Sequence, residues 1–332
     1  MPSSHHHHHL VLFILILLVI LPFSAVAAVG GEQEAACDAE YRQEDLRPDR
    51  LTVLLSGYSE RRLPLLRAIA GAYAAHPLVL SVLILWCNPS TPDDRLRLPR
   101  FPPRVSLHRT ASASLNSRFL PHPSIRTAAV AVADDDVLPD AAAISFAFAA
   151  WQQQQRPGSL VGFFPRSHRL DLARGGWAYA APQPGRYSMV LTKFMVLGVD
   201  LLRRYSCSPE LAAARAVVDR ERNCEDILMN FVAAEASGEG PVLVEAGSVR
   251  DWDDPRNDAN AGAGAAAEMK AVGLSSTGGV GHLEKRGECI TEFHRLLGRM
   301  PLRYSYGKLV EAAVGEQGLC SKGGRLVRCD RE

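Results

Sequence analysis

The chain has 332 residues, of which 47% are hydrophobic, so it can bury a core of ordinary size in one or two domains. Lys and Arg number 37 and Asp and Glu number 36, which gives a formal net charge of +1. This balance lacks the basic surplus of proteins that bind polyanions, and it argues against a nucleic-acid partner.

The N-terminal segment, residues 1–29, carries a histidine run and then an apolar run, Leu10–Val29. The apolar run is long enough to span a bilayer. Pro22 and the small residues after it are typical of a signal-peptide cleavage region. A cleaved signal peptide and an uncleaved anchor both stay open, because no Lys or Arg flanks the run to fix its orientation.

Either alternative sends the remainder into the lumen of the secretory pathway, in the Golgi or the ER. The protein would be a type II membrane protein or a cleaved lumenal or secreted one. Residues 30–50 are expected to be a short stem. The lumen is oxidising, which favours disulfides among the seven cysteines.

Two expectations follow for the cysteines. CSKGGRLVRC begins at Cys320 and ends at Cys329, and its central Gly pair suits a tight turn, so a disulfide closing a hairpin is expected there. The odd number leaves at least one cysteine unbridged. We expect this one to be Cys87, which lies in a predicted buried strand.

Strands and helices alternate in the first half of the chain. Strands that are apolar on both faces and separated by helices predict a parallel sheet covered on both sides. A helix is predicted from Pro64 to Ala75. The predicted strands are Leu51–Leu55, Val79–Cys87, Val105–Leu107 and Ala128–Ala133.

The second half is less regular. Asp140 is expected to cap a helix from Ala141 to about Gln155. Residues 253–267 are polar and small, which predicts a mobile loop. The other predicted elements are strands at Leu160–Phe164, Tyr187–Val199 and Val242–Glu245 and helices at Glu210–Val218 and Glu225–Ala236.

Three consecutive acids, Asp134, Asp135 and Asp136, follow the fourth predicted strand. Each like-charge pair would cost roughly 3 kcal/mol at about 6 Å and an effective dielectric of about 20. Ligands of open α/β sheets bind outside the carboxyl ends of strands. Carboxylates suit Mg²⁺ or Mn²⁺, which can bridge a nucleotide diphosphate. The alternative is a solvated acidic turn that favours the next helix.

Two further polar segments could carry chemistry. In NCEDILMNF, Glu225 and Asp226 fall in the first turn of a predicted helix, where acids are either catalytic or simply favoured by the helix dipole. In SLNSRF, Asn116, Ser117 and Arg118 lie just before the strand that leads to the aspartates. Arg can pair with carboxylate or phosphate and Asn can bind a base or ribose, although a plain polar loop is the commoner case.

Taken together, these segments resemble glycosyltransferase family 64, the exostosin carboxyl-terminal catalytic domain, and most closely its short plant members. The resemblance runs from about residue 51 to 330. It implies a single catalytic domain of the GT-A type, a Rossmann-like mixed α/β sheet flanked by helices. The motifs that carry it are LNSRF, AVADDDV, FAFAAWQQ, LVGFFPRSH, YSMVLTKFM, RNCEDILMNFVAA, KRGECITEF and GRMPLRYSYGK.

The resemblance assigns roles at the nucleotide end of the site. Asp134 to Asp136 match the family's DxD motif, in which the first two acids contact the nucleotide sugar and the third, here Asp136, ligates Mn²⁺. Arg118 matches the arginine of the uridine-contacting loop, with Asn116 and Ser117 beside it. In the loop after the first strand, Gly57 to Glu60 replace the family's Asn and Arg, so no nucleotide contact is transferred there.

The resemblance also assigns roles at the catalytic end. Asp226 matches the usual catalytic carboxylate, and Glu225 replaces an aspartate of the animal enzymes, which leaves sugar specificity open. Arg286 matches an arginine that helps to neutralise the leaving diphosphate. The family's disulfide matches Cys224 and Cys289.

The implied function is that of a retaining, Mn²⁺-dependent glycosyltransferase. Such an enzyme would move a hexose or N-acetylhexosamine from a UDP- or GDP-sugar to a glycan or glycolipid acceptor. The alternatives are a non-catalytic lumenal carbohydrate-binding module of the same fold and a nucleotide-sugar hydrolase. The sequence does not indicate an oligomeric state.

Overall fold

Strands and helices alternate through the first half of the chain, and shorter strands dominate the second half. The computed structural model describes residues 35–38, 41–97, 101–154, 158–183, 185–253, 280–311, 319–322 and 325–328. The helices within these ranges are α1 (Leu63–Ala75), α2 (Asp93–Arg97), α3 (Ala141–Gln152), α4 (Val199–Cys207), α5 (Ala212–Glu221), α6 (Glu225–Ser237) and α7 (Val280–Leu297).

The strands are more numerous and mostly short. Those of the first half are β1 (Arg47–Gly57), β2 (Val79–Trp86), β3 (Val105–Arg109), β4 (Thr127–Asp134), β5 (Val137–Pro139), β6 (Val161–Gly162) and β7 (Pro165–Asp171). Those that follow are β8 (Gly176–Ala180), β9 (Arg186–Tyr187), β10 (Met189–Val190), β11 (Phe194–Gly198), β12 (Val242–Glu245), β13 (Val249–Asp251), β14 (Ser305–Tyr306), β15 (Leu309–Val310), β16 (Leu319–Lys322) and β17 (Arg325–Arg328).

One eight-stranded sheet organises these elements, in the order β15-β12-β6-β11-β4-β1-β2-β3. The four strands β1 to β4 are mutually parallel where they pair, which confirms the prediction for the first half. The strand β11 runs antiparallel to both of its neighbours, β4 and β6. The sheet is therefore mixed, with helices on its faces, as the α/β GT-A resemblance implies.

The alternation of side chains along each strand divides the core into two clusters, one on each face. In β4, Val130 and Val132 face one cluster, while the three alanines between and around them face the other. The helices α1 and α3 cover the alanine side, and α4 to α7 cover the valine side. Strands buried on both faces need apolar residues at every position, which explains the continuous apolar runs in the sequence.

The predicted strand Tyr187–Val199 is wrong as a single strand. The chain forms β9, β10 and β11 instead, and α4 begins at Val199. In the interruption before β11, the backbone N–H of Leu191 donates to the carbonyl of Phe164 at 3.0 Å, and Thr192 is buried. This break allows the polar residues Thr192 and Lys193 to leave the sheet and reach the acidic corner beside β4.

Other boundaries also shifted. The carboxylate of Asp140 caps α3 by accepting from the backbone N–H of Ala143 at 2.9 Å, as predicted, but the helix ends at Gln152. Of the predicted strand Leu160–Phe164, only Val161–Gly162, which is β6, pairs in the main sheet. The predicted helix Glu210–Val218 begins with the 3-10 turn Pro209–Leu211, and its α-helical part is α5.

The residues before β1 are attached to the domain. A disulfide joins Cys37 to Cys207 at the end of α4, and the hydroxyl of Tyr41 donates to the carbonyl of His122. Leu46 is buried in the core. Cys37, Tyr41 and Leu46 therefore already contact the domain, although they precede residue 51, where the family resemblance begins.

Some predictions fall outside the described residues. These are the N-terminal segment 1–29 and the loop after Asp253. The hairpin of β16 and β17 is present, but Cys329 lies outside the described residues, so its predicted bridge to Cys320 stays a prediction. Within the described residues, no helix combines the length and the apolar character needed to cross a bilayer.

The disulfide between Cys37 and Cys207 encloses 170 residues of sequence, so it restricts the unfolded chain strongly. We expect the double variant Cys37→Ser/Cys207→Ser to lose about 3–5 kcal/mol of the free energy of unfolding. Urea unfolding at neutral pH measures this loss. Cys87→Ser is the control, because Cys87 is buried but forms no disulfide. A double variant no less stable than this control would contradict the expectation.

Candidate active site

The acidic corner, Asp134 to Asp136, forms the connection between β4 and β5. The backbone carbonyl of Asp136 accepts from the N–H of Trp252 at 2.9 Å, and β5 pairs with β13 beside it. Asp135 and Asp136 are buried, whereas the side chain of Asp134 is 26% exposed. The alternative of a solvated acidic turn is therefore wrong for Asp135 and Asp136, and their charge needs partners within the protein.

Arg62 supplies the nearest positive charge. Its Nη1 atom lies 3.0 Å from Oδ1 of Asp135 and 2.7 Å from Oδ2 of Asp136. Its Nη2 atom lies 3.8 Å from Oδ1 of Asp253, the last described residue after β13. Arg62 immediately precedes α1, and β1 lies next to β4 in the sheet, so the loop after β1 reaches the acidic corner directly.

Arg118 connects the acidic corner to the start of α6. Its Nη1 atom lies 3.1 Å from Oδ1 of Asp134 and 3.2 Å from Oε1 of Glu225. The same atom donates to the hydroxyl of Thr192 at 2.7 Å. The two acidic segments that the sequence singles out separately thus share one buried guanidinium, and they belong to one site.

The start of α6 is fixed from outside the helix. Cys224 has a φ of 77° and bonds to Cys289 of α7, which confirms the disulfide that the resemblance implies. Arg286, one turn earlier in α7, contacts Asp226 at 2.5 Å and donates to Oδ1 of Asn223 at 2.7 Å. The disulfide and the ion pair together hold the first turn of α6 against α7.

A glycine allows α7 to come close enough for this pairing. A Cβ atom at Gly287 would lie 2.8 Å from the backbone carbonyl oxygen of Trp177 in β8, so a larger residue would force the two elements apart. At this spacing the guanidinium of Arg286 lies over the ring of Tyr179, 4.4 Å from its centroid. The cation–π contact and the ion pair with Asp226 together orient Arg286.

Burial and crowding change the ionisation of these groups. Burial first, and then Asp134 and Asp135, raise the pKa of Asp136 to about 7. Burial, offset in part by Arg118, raises the pKa of Glu225 to about 7. Burial lowers the pKa of Arg118, but Glu225 and Asp134 outweigh it and hold this pKa above its ordinary value. The carboxylates are thus held close to protonation, and added positive charge would favour their ionised forms.

The acidic corner fits a divalent cation in one specific respect. Oδ1 of Asp136 is buried and accepts no hydrogen bond. A buried carboxylate oxygen without a donor is a ligand position for a hard cation. Among the described residues, no group of three or more His, Cys, Asp or Glu side chains is arranged to hold a metal. This donor set suits Mg²⁺ or Mn²⁺ held by one or two carboxylates together with substrate phosphates.

The remaining predicted residues, Asn116 and Ser117, lie in the 3-10 turn Leu115–Phe119. The side-chain amide of Asn116 donates to the carboxylate of Asp219 at 2.9 Å, and its oxygen accepts from the hydroxyl of Tyr205. Ser117 is buried. In this structure Asn116 therefore holds α4 and α5 to the turn that carries Arg118.

Sequence reasoning missed two charged residues of the site. Arg62 lies just beyond Gly57 to Glu60, the segment in which the family's Asn and Arg are replaced. Lys193, whose Nζ atom lies 2.6 Å from Oδ2 of Asp251, falls within the predicted strand Tyr187–Val199. The pair Arg61-Arg62 directly before a predicted helix was the available signal for the first. No local signal pointed to the second, because the pairing of β5 with β13 brings Asp251 to it.

Several known proteins are similar in sequence to this chain. A glycosyl transferase family 64 domain matches residues 51–314. The chain is 49% identical over 308 residues to glycosyltransferase family protein 64 C3 of Arabidopsis thaliana, covering 89% of this chain and 91% of that protein. It is 29% identical to glycosylinositol phosphorylceramide mannosyl transferase 1 of the same plant, over 80% of this chain and 79% of that protein. Identity to human exostosin-like 2 is 29%, over 77% and 76%.

The raised pKa of Glu225 predicts a pH-dependent stability. The ordinary value is 4.5 and the folded value about 7, so between these values the folded protein holds a proton that the unfolded chain has lost. Stability from this group is full below pH 4.5 and is lost as the pH rises through 7. We expect Glu225→Gln to remove this loss.

Urea unfolding at pH 5 and pH 8 tests this. The free energy of unfolding of Glu225→Gln, taken relative to that of wild type, should be higher at pH 8 than at pH 5 by on the order of 2 kcal/mol. Glu288→Gln, on the exposed side of α7, is the control and should run parallel to wild type. A Glu225→Gln difference that does not change with pH would show that Arg118 and Arg286 keep Glu225 ionised throughout.

Proposed function

Because the chain belongs to glycosyltransferase family 64 and is therefore a glycosyltransferase, we propose that it transfers a hexose or N-acetylhexosamine from a UDP- or GDP-sugar to a glycan or glycolipid. We further propose that the transfer retains the configuration of the anomeric carbon and depends on Mn²⁺. The bond from the anomeric carbon to the diphosphate breaks, and a bond to an acceptor oxygen forms on the same face of the sugar. The proton of the acceptor hydroxyl passes to the departing diphosphate.

One observation carries the proposal. The Nη1 atom of Arg118 contacts Asp134 at the end of β4 and Glu225 at the start of α6. A cation and diphosphate bound at the acidic corner would therefore have the carboxylates of α6 close to the sugar that they carry. A donor site and a catalytic carboxylate in one cluster are what a transfer reaction needs.

Asp136 would hold Mn²⁺, with Asp134 and Asp135 positioned toward the nucleotide sugar. Bound there, Mn²⁺ supplies positive charge to the diphosphate as it leaves. The unpartnered Oδ1 atom of Asp136 supports this assignment. Arg118 keeps Asp134 in place and would contact the nucleotide from the same corner.

Asp226 is proposed as the catalytic carboxylate. Its buried position next to Arg286 gives it a low-dielectric setting, where its charge acts strongly on positive charge developing at the anomeric carbon. It could alternatively orient the acceptor hydroxyl. Arg286 offsets the charge of Asp226 in the resting protein and adds positive charge on the side of the leaving diphosphate.

The donor and the acceptor are proposed from relatives alone. The name of the Arabidopsis mannosyl transferase specifies mannose and a glycosylinositol phosphorylceramide. Mannose on GDP and a glycolipid acceptor are therefore the first pair to test, followed by UDP-N-acetylhexosamines. A site in the secretory lumen, in the Golgi or ER, fits such acceptors and the disulfides of the chain.

Asp136→Asn tests the cation site. The variant keeps the shape of the side chain but loses the charge that a divalent ion needs, so Mn²⁺-stimulated binding of UDP or GDP should fall at least about 100-fold. Isothermal titration calorimetry with and without Mn²⁺ measures this. Asp94→Asn, an exposed acid in α2, is the charge-matched control. Wild-type Mn²⁺-stimulated binding in Asp136→Asn would exclude this residue as the ligand.

Asp226→Asn tests the catalytic role. Transfer from the productive donor should fall at least about 100-fold because a charge acting on the transition state is lost. Nucleotide affinity in Mn²⁺ should stay close to that of wild type. A donor screen with product analysis identifies the substrate first and detects any hydrolysis. If Asp226→Asn folds, as judged by circular dichroism, and turns over like wild type, the catalytic assignment is wrong.

A further inference from the structure

We propose that Arg62 is an intrinsic counter-ion that competes with the divalent cation for Asp136 and shifts to the donor diphosphate when the donor binds. The cation would then bind well only together with the nucleotide. The inference rests on the proposed function, because it concerns the same cation site.

The contacts of Arg62 place it where the cation is needed. Its Nη1 atom lies within 3.0 Å of carboxylate oxygens of both Asp135 and Asp136. Its side chain is 12% exposed, and those of Asp135 and Asp136 are 11% and 9% exposed. In this largely enclosed arrangement, Arg62 donates to Oδ2 of Asp136 and leaves Oδ1 without a donor.

A divalent cation at Oδ1 of Asp136 would lie beside this guanidinium. Two positive groups on one carboxylate repel each other strongly in a site that water screens poorly. Either Arg62 withdraws or further negative charge must arrive. A diphosphate brings that charge, and its oxygens match the fork of donors on a guanidinium. The cation alone has to displace Arg62, whereas the cation with its nucleotide offers Arg62 a new partner.

The position of Arg62 permits this exchange. It lies at the end of the 3-10 turn Glu60–Arg62 and directly before α1, so its long side chain can change rotamer while the backbone of β1 and α1 stays in place. Ligands of open α/β sheets bind at this edge, outside the carboxyl ends of β1 and β4. The neighbouring Arg61 is exposed and provides a charge-matched comparison in the same turn.

Mn²⁺ binding without nucleotide gives the decisive measurement. Titration calorimetry of Arg62→Met with Mn²⁺ alone should give a dissociation constant at least roughly tenfold lower than that of wild type, because a competing charge is gone. With Mn²⁺ saturating, the same variant should bind UDP, or GDP if wild type prefers it, roughly tenfold more weakly. Arg61→Met should match wild type in both titrations.

A merely structural role for Arg62 would not tighten metal binding. If Arg62→Met binds Mn²⁺ alone no better than wild type does, the inference is overturned, while Mn²⁺-stimulated nucleotide binding by wild type would leave the proposed function standing. If wild type binds no Mn²⁺ even with UDP or GDP, the cation site and the inference both fail. Should Arg62→Met not fold, Arg62→Gln removes the charge with less loss of hydrogen bonding and carries the same expectations.

Discussion

Crowded carboxylates at one edge of the sheet are the constraint on which the site depends. Asp134 to Asp136 emerge together from β4, and Glu225 and Asp226 face them from the first turn of α6. Buried acids of one sign are tolerated only where cations from elsewhere in the chain reach them. Arg62, Arg118 and Arg286 do so here, each from a different segment.

Three features of the fold bring these segments together. Placing β1 beside β4 carries the turn with Arg62 to the acidic corner. The break before β11 places the hydroxyl of Thr192 where it accepts a hydrogen bond from Arg118. The disulfide between α6 and α7 and the close approach at Gly287 bring Arg286 to Asp226. Removing any one of these features would leave a buried carboxylate less well compensated.

The compensation is incomplete, and this is what suits the site to a charged ligand. The pKa values of Asp136 and Glu225 are raised to about 7, so the resting protein holds both groups near the balance between their two forms. A cation with a nucleotide diphosphate brings charges of both signs, which the existing arginines and acids can divide between them. The binding of such a ligand would compensate the charge of the buried carboxylates more completely than the protein alone does.

The amino-acid sequence alone was enough to predict the elements that depend on local residue patterns. Continuous apolar runs fixed β1, β2 and β4, the cap at Asp140 fixed the start of α3, and the ordered motifs indicated the family and the acidic residues. These features are readable because burial and capping act over a few neighbouring residues.

The pairing of the charges, by contrast, depends on how the fold arranges distant segments. Strand order brought Arg62 to Asp136, although 74 positions separate them, and the return of β11 antiparallel to β4 split a predicted strand and carried Lys193 to Asp251. Pairings of this kind depend on which distant segments the fold places side by side. Local residue patterns contain no record of that placement. The acids of β4 and α6 could therefore be predicted, and the family's motifs supplied Arg118 and Arg286, but the pairings of Arg62 with Asp136 and of Lys193 with Asp251 could not be predicted.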